Sequence, residues 1–493
     1  MSHPATPRSR YAASQGGPAN PRRRPRRRGP AQAQPNRRTP THPAAPTQPP
    51  LATRDPRLAV TSFGAAGLPR PLVTALARHG IDTPFPIQGA TLPDALAGDH
   101  VLGRAQTGSG KTLGFGLPLL ARLATSQPGG DRPRTRPGHP RGLILTPTRE
   151  LAQQVADALA PLGQSLGLKL TTVYGGASMG RQITALSRGV DIVVATPGRL
   201  VDHIESGYCA LDEVEITVLD EADHMCDLGF LPVVRSLLAQ VPADGQRMLF
   251  SATLDRDVDG LVREFLPEPV LVAIDPEVPA VDTMTHHVFE AADREAKAEL
   301  LAALTRGHGR TLMFARTRHG ADRVSRALAR AGIPAAALHG GMAQNARTRT
   351  LRSFTEGGHR VLVATDVAAR GIHVDGIDLV VHADPPSEAK AYLHRSGRTA
   401  RAGAAGTVVT VSLPEERRTV HGLLRDAGLD IGPVPVAAGD PLVTELVGPH
   451  APFVPPAPPT PPSRPRPAGQ SPAGQPRAAR TGQRPARTFR RGR

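Results

Sequence analysis

Two short segments carry residues fit for phosphate chemistry. The first is Ala105-Gln106-Thr107-Gly108-Ser109-Gly110-Lys111-Thr112. Gly108 and Gly110 let backbone N–H groups converge on phosphates, Lys111 is spaced to reach the β- and γ-phosphates, and Thr112 offers a hydroxyl to Mg2+. The second is Asp220-Glu221-Ala222-Asp223, roughly a hundred residues downstream and directly after the apolar run Ile216-Thr217-Val218-Leu219. Asp220 is the strand-end acid expected to hold Mg2+, directly or through water. Glu221 is placed to orient or deprotonate an attacking water. An acidic helix start would look similar, because carboxylates favour helix N-termini. A buried strand just before these acids and a phosphate loop upstream favour hydrolysis of a nucleotide.

Further polar sets follow in a fixed order. Before the loop come Phe63 and Thr83-Pro84-Phe85-Pro86-Ile87-Gln88. After it come Pro147-Thr148-Arg149-Glu150-Leu151-Ala152, Gly175-Gly176, Thr196-Pro197-Gly198-Arg199 and Ser251-Ala252-Thr253. The second half holds Phe314 to Arg318, Gln344 with Arg347, Ala364-Thr365-Asp366-Val367-Ala368-Ala369-Arg370-Gly371 and His394-Arg395-Ser396-Gly397-Arg398-Thr399-Ala400-Arg401. A Gln amide pairs bidentately with adenine N6 and N7, which guanine inverts, so Gln88 favours ATP over GTP. Arg398 and Arg401, three residues apart, share a helix face and can act as arginine fingers if one half closes on the other.

The ordered set resembles the DEAD-box family of RNA helicases, in superfamily 2, over about residues 63–411. The resemblance implies two tandem RecA-like domains, with ATP and Mg2+ as cofactors and RNA as partner. It assigns Phe63 and Gln88 to adenine recognition, residues 105–112 to the phosphates, and Asp366 and Arg370 to the nucleotide from the second domain. Ser251 and Thr253 would couple hydrolysis to unwinding, and His394 would bridge the domains through Ser251 and Thr253 or phosphate. Pro147, Thr148, Arg149, Gly175, Gly176, Thr196, Pro197, Gly198, Arg199, Gln344, Arg347 and Thr365 would grip the RNA backbone without reading bases. The chain departs from the family pattern at Ile81, Phe85, His373 and Ala400. His373 stands where an Asp commonly contacts ribose, which puts nucleotide affinity and its pH dependence in question.

Strand-like runs position these motifs. Leu143–Thr146, Asp191–Val194, Ile216–Leu219 and Met248–Phe250 fall in the first half, and Thr311–Phe314, Val361–Ala364, Leu379–Val381 and Thr407–Val411 in the second. Continuous apolar strands separated by helices predict α/β units with parallel sheets covered on both faces. Leu151, Val155 and Leu159 mark one face of a helix after Arg149. The expected division is a basic arm over 1–58, a first domain over 59–272, a linker over 273–284, a second domain over 285–430 and a basic tail over 431–493. Ser126 to Arg141 reads as a surface loop.

Charge is segregated. Of 493 residues, 1–58 hold twelve Arg and one acid, Asp55, and 446–493 hold nine Arg and no acid. The net charge is +17, so the body is slightly acidic and the extremities carry the excess. Arg22-Arg23-Arg24-Pro25-Arg26-Arg27-Arg28 and Arg490-Arg491-Gly492-Arg493 are candidate polyanion-binding arms, of a composition expected to be disordered. These arms raise an alternative: an RNA-annealing clamp with slow ATP turnover. Aromatic residues make up 3% and Trp is absent, which disfavours base-stacking platforms. Cys209 and Cys226 offer neither a disulfide framework nor metal spacing. With no leader-like apolar segment and no spanning run, the expectation is a soluble, cytoplasmic protein without membrane contact. Without coiled-coil heptads, monomer is the default. Ribosome assembly and mRNA decay stay open as settings.

Overall fold

The computed structural model describes residues 52–55, 59–106, 108–125, 135–274, 284–369, 374, 376–400 and 406–455. Fourteen strands form two sheets. The first holds β1 (Val101–Arg104), β2 (Gly142–Leu145), β3 (Leu170–Val173), β4 (Ile192–Ala195), β5 (Ile216–Asp220), β6 (Gln246–Ser251) and β7 (Val270–Ala273). The second holds β8 (Met284–Glu290), β9 (Thr311–Phe314), β10 (Ala335–Leu338), β11 (Val361–Ala364), β12 (Leu379–His382), β13 (Gly406–Ser412) and β14 (Val434–Pro435). Their orders are β3-β4-β2-β5-β6-β1-β7 and β10-β11-β9-β12-β13-β8-β14, and every pairing is parallel.

The eight strand-like runs of the sequence are β2, β4, β5, β6, β9, β11, β12 and β13; β1 and β8, which also lie inside their sheets, do not read as such runs. Every residue of β2, β4, β5, β6, β9, β11 and β12 is buried, as a sheet covered on both faces requires. The edge strands β3, β7 and β10 are only partly buried. Two apolar clusters flank each sheet, so each domain has its own core. Helix Arg149–Ser165 buries Leu151, Val155 and Leu159, and Thr148 caps it by accepting from the Leu151 N–H at 3.3 Å. Among the described residues no helix is long and apolar enough to cross a membrane.

Three expected boundaries move. Thr53 bridges to Leu271, and Arg54 pairs with Asp94, so the first domain begins inside the expected arm. The expected tail, 431–493, begins with packed structure. β14 adds to β8, helix Pro441–Val447 follows, His450 bridges to Gly307, and the Val454 N–H donates to the Gly332 carbonyl at 2.9 Å. Sparse apolar residues concealed this segment: Val436 and Val443 alone supply its fully buried apolar anchors, and backbone bonds do the rest. The expected loop also narrows, because Arg141 is buried, donating Nε to Glu215 at 2.6 Å and Nη1 to the Leu123 carbonyl at 3.2 Å. Arm residues 1–51, the linker stretch 275–283, loop residues 126–134 and tail residues 456–493 lie outside the described residues.

One close approach constrains the first sheet. A Cβ on Gly103 in β1 would lie 2.5 Å from the Phe250 ring of β6. That ring is fully buried and tilted against Phe115 at 5.3 Å, so it has no room to yield. Gly103→Ala is expected to destabilise by about 1–3 kcal/mol through overpacking, read as a lower denaturant midpoint with an unchanged slope.

Candidate nucleotide cleft and interdomain site

Chemistry-bearing residues gather at the carboxyl ends of the strands, where open α/β sheets bind ligands. The phosphate loop leaves β1. The Ala105 N–H donates to the Ser251 carbonyl at 3.1 Å, tying the loop to β6. Gly108 and Gly110 both have φ of +88°, a conformation that costs an L side chain about 1–2 kcal/mol. Lys111 starts helix Lys111–Thr125, and its buried Nζ donates to the Ala105 carbonyl at 3.1 Å and stands 3.5 Å from Glu221 Oε1. Ser109 Oγ donates to the Gln106 carbonyl at 2.7 Å. Thr107 lies outside the described residues.

Asp220 ends β5 at 2% exposure. Burial, then the neighbouring Glu221 charge, push its carboxyl up to about 7. Its Oδ1 has no hydrogen-bond partner among the described residues. Glu221 follows in the left-handed region, φ 53° and ψ 51°, one of three non-glycine residues with positive φ among those described. Strain of this kind persists where surrounding structure over-determines it. Here buried Lys111 lies on one side of the carboxylate and His224 on the other, with His224 Nδ1 2.6 Å from Glu221 Oε2.

Asp223 joins this turn to the next. Its Oδ2 accepts from both the N–H and the hydroxyl of Thr253, each at 3.0 Å. Its N–H donates to Ser251 Oγ at 3.3 Å, and Ser251 Oγ donates to the Thr253 carbonyl at 2.7 Å. Ser251 and Thr253 are thus engaged with the acidic turn, while His394 meets His224 instead, ring edge to face at 5.0 Å. Both His394 nitrogens lack a hydrogen-bond partner among the described residues. Burial and then His224 hold its pKa down to about 4, so it is neutral at pH 7.

Gln88 and Phe63 are both buried. Phe63, 2% exposed, sits in the apolar core. Gln88, 3% exposed, donates Nε2 to the Gly110 carbonyl at 3.0 Å and accepts at Oε1 from the Phe85 N–H at 2.9 Å. The amide therefore clips the phosphate loop to the start of helix Pro86–Ala97.

In the second domain Asp366 binds Arg395 bidentately, at 2.6 and 2.7 Å. Arg395 also donates to the Asp384 carbonyl at 2.9 Å and lies over the Phe314 ring at 5.0 Å. Arg398, 4% exposed, donates Nε to the His394 carbonyl at 3.3 Å. Arg370, His373 and Arg401 lie outside the described residues.

The candidate RNA residues form a second cluster across the domain boundary. Arg149 Nη1 donates to Gln344 Oε1 at 3.3 Å, and its guanidinium covers Gly175 and Gly176. Gln344 Nε2 donates to Glu150 Oε1 at 2.8 Å, and Arg347 Nη2 reaches Glu150 Oε2 at 3.0 Å. Glu150 was quoted in the sequence only as part of a motif; its place as the hub needed tertiary structure. Arg199 Nη1 donates to the Ala177 carbonyl at 3.4 Å, joining the Thr196-Pro197-Gly198 turn to the glycine loop. Pro147 is buried beneath, and Thr365 donates its N–H to the Leu338 carbonyl at 3.2 Å. Lys390, which sequence reasoning passed over, reaches Asp227 and Asp255 of the first domain.

Parallel sheets with a phosphate loop after one strand and paired acids after another define a two-domain nucleotide-binding protein of the phosphate-loop class. Residues 85–261 match the profile described as DEAD/DEAH box helicase, and residues 295–403 the helicase conserved C-terminal domain. The chain is 44% identical over 367 residues to the chloroplastic DEAD-box ATP-dependent RNA helicase 3A of Zea mays, a match covering 73% of this chain and 48% of that one. It is 40% identical to DEAD-box ATP-dependent RNA helicase 5 of Oryza sativa subsp. japonica, covering 76% and 74%. It thus spans about half of the first relative and three quarters of the second. Among solved structures, S. cerevisiae Dbp5 bound to RNA and ADP BeF3 superposes with a TM-score of 0.66 at 26% identity, over 79% of this chain and all of that one. The chain belongs to the DEAD-box family of ATP-dependent RNA helicases, and its two sheets are tandem RecA-like domains.

Ala400 closes the Arg398-bearing turn with φ of +52°. The left-handed conformation costs Ala about 1–2 kcal/mol, partly offset by the greater chain entropy that glycine loses on folding, about 0.5–1 kcal/mol. Ala400→Gly is expected to stabilise the protein by roughly half a kcal/mol to 1 kcal/mol, read as a raised Tm.

Proposed function

We propose that this protein is an ATP-dependent RNA helicase that couples RNA-stimulated ATP hydrolysis to local opening of RNA duplexes. One observation carries the reading. Lys111, Asp220 and Glu221 converge in the first domain, while the helix carrying His394 and leading to Arg398 docks against the same turn from the second. Each half holds part of a hydrolytic site, and closure assembles it.

The residues divide the work. Backbone N–H groups of residues 108–112 and the Lys111 ammonium bind the β- and γ-phosphates. The Thr112 hydroxyl and the buried Oδ1 of Asp220, unpartnered among the described residues, would hold Mg2+, which would neutralise phosphate charge. The raised pKa of Asp220 has the cause such a cation would remove, a buried carboxylate beside another. Glu221 orients or deprotonates the attacking water. Arg398 stabilises the charge developing on the γ-phosphoryl oxygens, and Asp366 and Arg370 meet the nucleotide from the second domain. Asp223 transmits a shift at the acidic turn to Ser251 and Thr253 through the bonds that join them.

RNA is held through its backbone by Thr148, Arg149, Gly175, Gly176, Thr196, Arg199, Gln344, Arg347 and Thr365, independently of sequence. Closure brings the two halves of this grip together through Glu150. The protein acts as a monomer, and the Arg-rich extremities add unspecific affinity for the same RNA.

Two measurements test this reading. Glu221→Gln is expected to lower RNA-stimulated ATP turnover by about 100-fold or more, as loss of a general base does, while ATP and single-stranded RNA still bind. Near-normal turnover would take the role from Glu221. Removal of residues 1–50 and 456–493 is expected to flatten the salt dependence of RNA binding by about 0.7 in log–log slope per lost phosphate contact, with hydrolysis retained at saturating RNA. Abolished hydrolysis would favour the annealing clamp.

A further inference from the structure

Helix Ala389–Ser396 lies one turn ahead of Arg398 and carries Lys390, His394 and Arg395. Lys390 and His394, four apart on this helix, lie on the side that meets the first domain, and Arg398 follows two residues beyond the helix end, its Nε donating to the His394 carbonyl at 3.3 Å. Arg395 points the other way, into its own domain, held by Asp366, the Asp384 carbonyl and Phe314. The helix is thus fixed firmly to the second domain, and its opposite face must be fixed to the first.

Lys390 supplies that attachment. Its Nζ lies 2.8 Å from Asp227 Oδ1 and 2.7 Å from Asp255 Oδ2. Burial alone would lower its pKa, but the two carboxylates outweigh this and raise it, so the ammonium is charged throughout the working pH range. Both acids belong to the hydrolytic machinery's own supports. Asp227 ends helix Ala222–Asp227, the helix that Glu221 begins. Asp255 starts helix Arg256–Phe265 two residues after Thr253, and its other oxygen accepts from the N–H groups of Asp257 and Val258 at 3.2 and 3.1 Å. That carboxylate is therefore held in place before Lys390 arrives. The side chains of Lys390, Asp227 and Asp255 are 29, 19 and 34% exposed, partly shielded from solvent screening.

We propose that Lys390 is a positioning residue for hydrolysis: its ammonium clasps Asp227 and Asp255, sets where helix Ala389–Ser396 docks, and so sets where Arg398 meets the nucleotide. Lys390, Asp227 and Asp255 are none of the residues to which nucleotide or RNA contact is assigned. It acts on the closed arrangement only, so its loss lowers turnover and leaves binding to the separate domains intact. The inference rests on the ATPase reading for its kinetic consequence, and on geometry alone for the clasp.

The experiment compares the full chain with Lys390→Ala, Lys390→Arg and Asp255→Asn. Asn caps a helix about as well as Asp, so Asp255→Asn removes the ion pair and keeps the helix start. Steady-state hydrolysis is measured with saturating single-stranded RNA, beside thermal unfolding and small-angle scattering with RNA and a non-hydrolysable ATP analogue. Lys390→Ala and Asp255→Asn are expected to lower kcat roughly tenfold or more, as displacement of a catalytic group does, with the KM for ATP within about twofold and an unchanged Tm. Lys390→Arg is expected to recover most of the rate, and the two weakened variants to scatter as more extended particles. Wild-type kcat and scattering in both Lys390→Ala and Asp255→Asn would overturn the proposal. If the unsubstituted chain hydrolyses no ATP, the functional reading fails, and the scattering comparison still decides whether the clasp exists.

Discussion

Three carboxylates, Asp220, Glu221 and Asp223, are buried within one turn at the end of β5. Unpaired, each would cost several kcal/mol in solvation or give up its charge. The rest of the first domain's site is arranged around that constraint. Lys111 is drawn down to Glu221, Thr253 offers two donors to Asp223, and the β6 turn is held beside the β5 turn. Asp220 Oδ1 has no hydrogen-bond partner among the described residues, and burial, then the Glu221 charge, raise its pKa. A polar cluster of this kind fixes a unique geometry when satisfied.

The same economy governs the boundary between domains. Among the described residues each buried apolar cluster stays within one domain, whereas Glu150 with Gln344 and Arg347, Lys390 with Asp227 and Asp255, and His394 with His224 cross the boundary. Interfaces held by charge and hydrogen bonds separate without exposing large apolar surface, which suits the closure proposed for this cleft. The Glu150 cluster occupies side chains proposed to hold RNA, so closure and RNA engagement draw on one set of donors.

Much of this was legible in the sequence because the motifs are local. Most central strands announce themselves as continuous apolar runs, though Val101–Arg104 and Met284–Glu290, interrupted by Gly103 and by His286-His287, do not, and residues 105–112 and 220–223 keep their chemistry in short segments. Edge strands did not announce themselves: Leu170–Val173 and Ala335–Leu338 are half-exposed and compositionally plain. The packed segment 434–455 was hidden because its attachments are mostly backbone bonds, which carry no side-chain signature. Gln88 illustrates a different limit. Its type suits an adenine edge, yet its amide is taken up by Gly110 and Phe85, a choice between partners that only the fold makes. Lys390 carried no local signal, because its two partners lie more than a hundred residues away in the chain.

The roots of the two Arg-rich arms are on different bodies. Thr53 is bridged to Leu271 in the first domain, whereas Val454 is bonded to Gly332 in the second. A polyanion engaged by both arms is therefore a tether across the cleft. The domains are already joined in one chain, so what such a tether changes is contact with the polyanion: a domain that lets go of it rebinds at an effective concentration rather than by fresh encounter. Avidity of this kind lengthens residence on one RNA without any added contact in the cleft. It also makes the distance between the two roots, and not only the number of arginines, a determinant of how long the complex lasts.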